Sequence, residues 1–216
     1  KIIRILSVEE KVELLTSNES NRNRMIENYM IPEFTITKKS HENSTNECYP
    51  SFQTLGSTWN VGLIEQMGEK IGRYNIANTN GKIVGVPANL RGPLAVESFS
   101  NEAYAAGKMA GRMLKGINSV NALGCVYDLP KNTSVDKAEI REELSAYEIA
   151  IKDGKPYALY ANSADNLDFV EEINYINLLV CESNEPTEII KALYGNCDLA
   201  IIENAKEVVL EAIERY

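Results

Sequence analysis

Apolar side chains recur along this chain in two spacings that alternate from the middle of the sequence onwards. Val61, Ile64, Met67 and Ile71 fall every three or four residues, which predicts a helix opened by the side-chain oxygen of Asn60. Ile140, Leu144, Tyr147 and Ile151 repeat that pattern behind Asp136, and Gly154 is expected to end their helix. A third helix, over 101–118 with Asn101 as its cap, carries Ala105, Ala106, Gly107, Ala110 and Gly111 on one face. Such small side chains let a helix approach a sheet closely, although the glycines lower helix propensity. Continuous apolar runs at 82–87, 122–129, 156–161, 176–181 and 199–202 separate these helices and have the character of strands buried on both faces.

Towards the N-terminus, Ser7 and Glu10 form a capping box ahead of Val12, Leu14 and Leu15. Residues 17–24 and 38–47 are polar loops, and 31–37 is a short strand with a proline near its start. Segment 52–55 is apolar and ambiguous; counting it gives about seven strands. Towards the C-terminus, Pro186 and Gly195 bracket a helix, and 205–215 is a closing one. Alternating strands and helices predict an α/β chain with a mainly parallel sheet covered by helices. The strand count is close to the eight of a (β/α)8 TIM barrel, in a chain shorter than the roughly 250 residues typical of one. A shortened, incomplete barrel and an open doubly wound sheet are both compatible with periodicity alone.

Length suits a single domain over 1–216. A net charge of -9 argues against nucleic-acid and anionic-membrane partners. No apolar run approaches the ~18 residues of a membrane span, and no charged-then-apolar leader opens the sequence. Cys48, Cys125, Cys181 and Cys197 lack C-x-x-C spacing, so reduced structural thiols, no metal and a cytoplasmic setting are expected. Gly81, Gly85 and Gly92 make no dinucleotide fingerprint, and no cofactor is expected.

Several ordered segments carry a family resemblance. They are Leu6-Ser-Val-Glu-Glu-Lys-Val-Glu-Leu-Leu15, Ile31-Pro-Glu-Phe-Thr-Ile36, Cys48-Tyr-Pro-Ser-Phe-Gln-Thr-Leu-Gly-Ser-Thr-Trp-Asn60, Asn89-Leu-Arg-Gly-Pro-Leu94 and Glu97-Ser-Phe-Ser-Asn-Glu-Ala-Tyr104. The helix containing Glu139-Ile-Arg-Glu-Glu-Leu144 and the strand at Pro156-Tyr-Ala-Leu-Tyr-Ala-Asn162 continue the series. In order and spacing the chain resembles the N-terminal barrel domain of family 3 glycoside hydrolases, the β-glucosidase type. That resemblance implies a (β/α)8-type fold and a carbohydrate ligand.

It also implies where the catalytic groups should stand, and the side chains there differ. The family's S-D-G-P-H-G becomes Thr37-Lys38-Lys39-Ser40-His41-Glu42, so Lys38 replaces a sugar-binding Asp and only His41 survives. A G-G-R-N-F insert, with its sugar-binding Arg, is missing between Leu94 and Glu97. The Lys-His pair of K-H-F becomes Val126-Tyr127-Asp128, and the nucleophile motif V-V-M-S-D-W aligns with Leu178-Leu-Val-Cys-Glu-Ser183, which puts Glu182 at the nucleophile position. In many members the acid/base lies in a second domain or long loop, and no segment here is long enough to supply it.

Asp128, Glu182 and Glu203 fall at the C-terminal ends of predicted strands, where barrel enzymes place catalytic groups. They form a rebuilt acidic site or are solvated carboxylates closing off strands. His41 is a remnant sugar ligand or an exposed loop residue, Trp59 is expected to pack, and Lys38-Lys39 is expected to be surface. The leading expectation is a barrel without glycosidase activity that serves as a carbohydrate-related, structural or interaction domain. An active hydrolase with a rebuilt carboxylate site and a fragment completed by another chain are the alternatives. An unclosed parallel sheet would expose an edge, so a homodimer is expected.

Overall fold

Among the described residues, six parallel strands lie side by side in the order in which the chain makes them. A computed structural model of the chain describes residues 36–37, 49–78, 83–90, 98–129, 137–161, 176, 178–182 and 199–201. The strands are β1 (Ile36–Thr37), β2 (Ile83–Pro87), β3 (Gly124–Leu129), β4 (Ala158–Ala161), β5 (Leu178–Glu182) and β6 (Leu199–Ile201). A doubly wound sheet reverses its order at a switch point. No reversal occurs along these strands, so of the two arrangements left open by periodicity the order has the singly wound sense.

Four helices are described: α1 (Phe52–Ser57), α2 (Val61–Asn78), α3 (Ala103–Ser119) and α4 (Lys137–Gly154). The first corrects the strand count, because segment 52–55 is helical. Ser51 Oγ accepts from the Thr54 amide at 3.1 Å, and Phe52, Leu55 and Gly56 are buried at helical rather than alternating spacing. Asn60 caps α2 as expected, its Oδ1 accepting from the Leu63 amide at 3.0 Å. Ile64 and Ile71 are buried beneath it, whereas Val61 stays exposed.

The cap of α3 is a second correction. Glu102, not Asn101, accepts from the Tyr104 and Ala105 amides, at 3.0 and 2.7 Å. Glu102→Ala is therefore expected to cost about 1 kcal/mol, while Asn101→Ala leaves stability unchanged; urea melts of the two variants make the comparison.

The small-residue face of α3 is buried, as expected, but its glycines face a neighbouring helix rather than the sheet. A Cβ on Gly107 would lie 2.5 Å from the Ala146 carbonyl oxygen of α4, and one on Gly111 would lie 2.8 Å from Asp153 Cβ. The other side of α3 meets α2 as closely. A Cβ on Gly116 would stand 2.0 Å from the Glu65 carbonyl oxygen, and one on Gly68 2.2 Å from that of Met113. Glycine is kept at these crossings because backbone, not a movable side chain, occupies the space.

Gly154 behaves similarly. It ends α4 by letting Leu114 and Gly111 approach, and the left-handed residue is Lys155, with φ 46°. Asn118 joins three elements here: its amide donates to the Gly154 and Lys155 carbonyls at 2.9 and 3.0 Å, and its Oδ1 accepts from Gly124. Orphan carbonyls at the helix end are thereby satisfied. On the outer surface Arg112 reaches Glu65 and Asp153, linking α2, α3 and α4.

The sheet separates two apolar layers. Val84, Val86, Val126, Leu129, Leu159, Ala161 and Leu179 pack with the helices. Ile83, Cys125, Tyr127, Ala158 and Tyr160 form a second cluster on the other face, where Cys125 is buried outside any described disulfide.

Candidate functional site

Parallel strands bring all their C-terminal ends to one edge of the sheet, and the expected site residues are distributed along that edge. Glu182 is the last residue of β5 and pairs with Ile201 of β6. Val180 pairs with Tyr160, and Leu178 with Ala158. Since strand positions alternate between faces, Glu182 occupies a register position on the face that carries Ala158 and Tyr160. That is the face turned away from the helices.

Asp128 sits in an irregularity. Val126 pairs with Leu159, yet the next described partner pair is Leu129 with Ala161, so β3 holds one residue more than β4 over this interval. Burial agrees: Val126 and Leu129 both belong to the helix-side cluster although they are an odd step, three positions, apart. Bulges of this kind concentrate near strand ends and active sites, where they alter the direction of the chain.

Val126 and Tyr127, at the positions where the resemblance leads one to expect a Lys-His pair, are both buried. Val126 lies wholly among the apolar side chains beneath the helices, and Tyr127 lies in the opposite cluster. The Tyr147 hydroxyl of α4 donates to the Tyr127 carbonyl at 3.3 Å. A cation at position 126 in this setting would pay full desolvation without a partner. The residues present hold the sheet together and offer no cationic grip on a ligand.

His41 and Glu203 lie outside the described residues, as do Lys38, Asp136, Cys48, Cys197 and the segment 91–97. The strand edge therefore brings together two of the expected residues, Asp128 and Glu182, on β3 and β5 with β4 between them. No described helix is long and apolar enough to cross a membrane.

A second concavity escaped the sequence reasoning. A cleft of about 250 Å³ lies between α1 and the turn before α3, lined by Gln53, Ser57, Trp59, Ser98, Ser100 and Asn101 among others. Its base is tight: a Cβ on Gly56 would stand 1.9 Å from the Phe99 carbonyl oxygen, and the Phe52 and Phe99 rings are 5.1 Å apart. Trp59 does not pack, contrary to expectation. It is 73% exposed, and its φ is 53°. A non-glycine residue in that left-handed region costs roughly 1–2 kcal/mol. The cause is the three-residue corner between helices. Thr58 closes α1 by donating Oγ to the Leu55 carbonyl at 2.6 Å, the Trp59 amide reaches Gly56 O at 3.1 Å, and Asn60 immediately caps α2. The signal available in the sequence was that brevity, since two helices meeting across Thr58-Trp59-Asn60 force one residue out of the right-handed region.

Comparisons with known proteins agree with the motif series. No family model matches the chain. Thermostable β-glucosidase B of Acetivibrio thermocellus is 26% identical over 207 residues, covering 82% of this chain and 27% of that protein. The chain thus spans little more than a quarter of that relative's length. Among solved structures, the β-glucosidase of Kluyveromyces marxianus in complex with glucose superposes with a TM-score of 0.74 at 18% identity, over 99% of this chain and 30% of that one. A glycosyl hydrolase of the GH3 family from Mycobacterium smegmatis gives 0.71 at 12% identity, over 99% of this chain and 91% of that one. The chain is a family 3-like domain that spans about 30% or less of these two β-glucosidases.

Proposed function

We propose that this chain is a shortened (β/α)8-type barrel of the family 3 glycoside hydrolase kind that no longer cleaves glycosides and acts as a carbohydrate-related or interaction domain. Singly wound parallel strand order supports the barrel reading. The observation that carries the functional reading is the burial of Val126 and Tyr127 where the family has its Lys-His pair. Glu182 at the nucleophile position is one methylene longer than aspartate, and a misplacement near 1 Å can cost about 100-fold. Cleavage with retention needs two carboxyl groups about 5–5.5 Å apart as well as groups that hold the ring. Assay with nitrophenyl β-glucosides, N-acetylglucosaminides and xylosides is expected to give no turnover.

The competing reading is an active hydrolase that has recruited Asp128, Glu182 and Glu203. The bulge at Asp128 is the observation in its favour. It requires robust turnover that disappears in Glu182→Gln.

Two further elements belong to the same proposal. Reduced thiols fit a cytoplasmic setting, and Cys125 is buried and unbridged. Association with a second copy through the sheet edge is the simplest way to cover an unclosed sheet. Light scattering at micromolar concentration is expected to give twice the 24.1 kDa chain mass, and a monomer would exclude it.

A further inference from the structure

We infer that the cleft between α1 and the turn before α3 binds a single neutral sugar ring, stacked on the indole of Trp59. This site contains no strand residue and does not depend on whether the strand-end carboxylates turn over substrate.

Three observations meet there. The first is the conformation of Trp59. Glycine is the residue that a left-handed corner favours, and burial is the state that a large aromatic favours. Trp59 has neither, with φ 53° and 73% exposure. Strained backbone of this kind concentrates where a side chain is held for contact with a ligand.

The second is the lining. The described side chains of the cleft include Gln53, Ser57, Ser100 and Asn101, and none of those described is ionisable. Hydroxyls and amides beside a flat apolar ring suit a neutral ring with hydroxyls at its rim and C–H groups on its faces. Such a ligand buries its C–H face against indole and exchanges water for amide and hydroxyl hydrogen bonds at the edge.

The third is availability. Among the described residues the Gln53 and Asn101 side chains have no hydrogen-bond partner, so their amides can donate and accept. Ser57 Oγ gives its proton to the Thr54 carbonyl at 2.8 Å and keeps its lone pairs. Ser100 Oγ accepts from the Glu102 amide at 3.1 Å and keeps its proton. The rim therefore offers both senses of hydrogen bond. At about 250 Å³ the space is smaller than a drug-sized pocket and suits one ring rather than a chain.

Trp59 is the single tryptophan of the chain and so reports on its own site. Titration of the whole chain with glucose or xylose is expected to change indole emission saturably, with a dissociation constant in the millimolar range. Open-chain sorbitol, which presents no flat C–H face, should leave the emission unchanged. Gln53→Ala and Asn101→Ala should each weaken binding by roughly 2–10-fold. Trp59→Gly should abolish the heat of binding in calorimetry while raising Tm by about 2–4 °C, because the strain is relieved. An equal response to sorbitol, unchanged affinity in both amide variants, or no saturable change with either sugar would overturn the proposal. So would emission that shifts with protein concentration alone as the mass doubles, which would assign the indole to self-association.

Discussion

Replacing Gly116 with alanine is expected to lower Tm by roughly 5–10 °C, a large effect for a single added methyl group. The new carbon would stand 2.0 Å from the Glu65 carbonyl oxygen and 2.9 Å from the Glu69 amide nitrogen. Both are backbone atoms of α2, so no rotamer change relieves the clash. The helices must separate, and separation loosens Ile64, Met113 and Ile117, all fully or nearly fully buried beside the crossing. Overpacking costs typically 1–3 kcal/mol, and rigid backbone on the receiving side puts this case at the upper end. Gly68→Ala meets the Met113 carbonyl from the other helix at 2.2 Å and should behave alike. Once one methyl has pushed the helices apart, the second costs less, so the double variant should fall short of the sum. Gly62→Ala provides the control. Its added carbon meets only Asn60 Oδ1, at 3.4 Å, and helix propensity should make it neutral or slightly stabilising. Thermal melts followed by circular dichroism rank the four proteins.

Glu182→Asp is expected to leave hydrolysis at background. Restoring aspartate repairs side-chain length at one position. On the proposed reading it supplies neither a proton donor for the leaving oxygen nor a cation to hold the ring, and Val126 and Tyr127 remain buried apolar and aromatic side chains. Glycosidase-type acceleration belongs to a range of about 10⁶–10¹⁷-fold and arises from groups acting together. One member restored without the others gives little transition-state stabilisation. Release of nitrophenol from a β-glucoside by this variant, above that of the parent chain, would mean that the remainder of the site is intact.

The elements of this chain were readable where the pattern was long and its chemistry local. Ile64 and Ile71 on α2, Tyr147 and Ile151 on α4, and β2 to β6 all fall where apolar spacing predicts them. The failures share a cause. Segment 52–55 was too short for its period to separate helix from strand, and the Ser51 cap decided it. Asn101 lost the α3 cap to Glu102 because the longer carboxylate reaches two amides from one residue further on. Gly107 and Gly111 announced a close contact, but spacing on one helix cannot say whether a sheet or another helix fills it. Among site residues, the sheet register put Glu182 and Asp128 at one edge as the strand ends required. The bulge is invisible in the sequence, since it is a compromise between neighbouring strands, and the corner at Trp59 becomes legible only once 52–57 is known to be helical.

The strand order has a consequence for how the molecule is made. Every strand after β1 pairs first with the one that precedes it in the chain, so a growing polypeptide always finds its template already synthesised. The partners also come nearer in sequence as synthesis proceeds: Val84 waits for Gly124, Ala158 for Leu178, and Val180 only for Leu199. Loop closure becomes less costly for each later pairing. Assembly can thus advance as the ribosome releases the chain, with the slowest search at the N-terminal pairs and the fastest at the last.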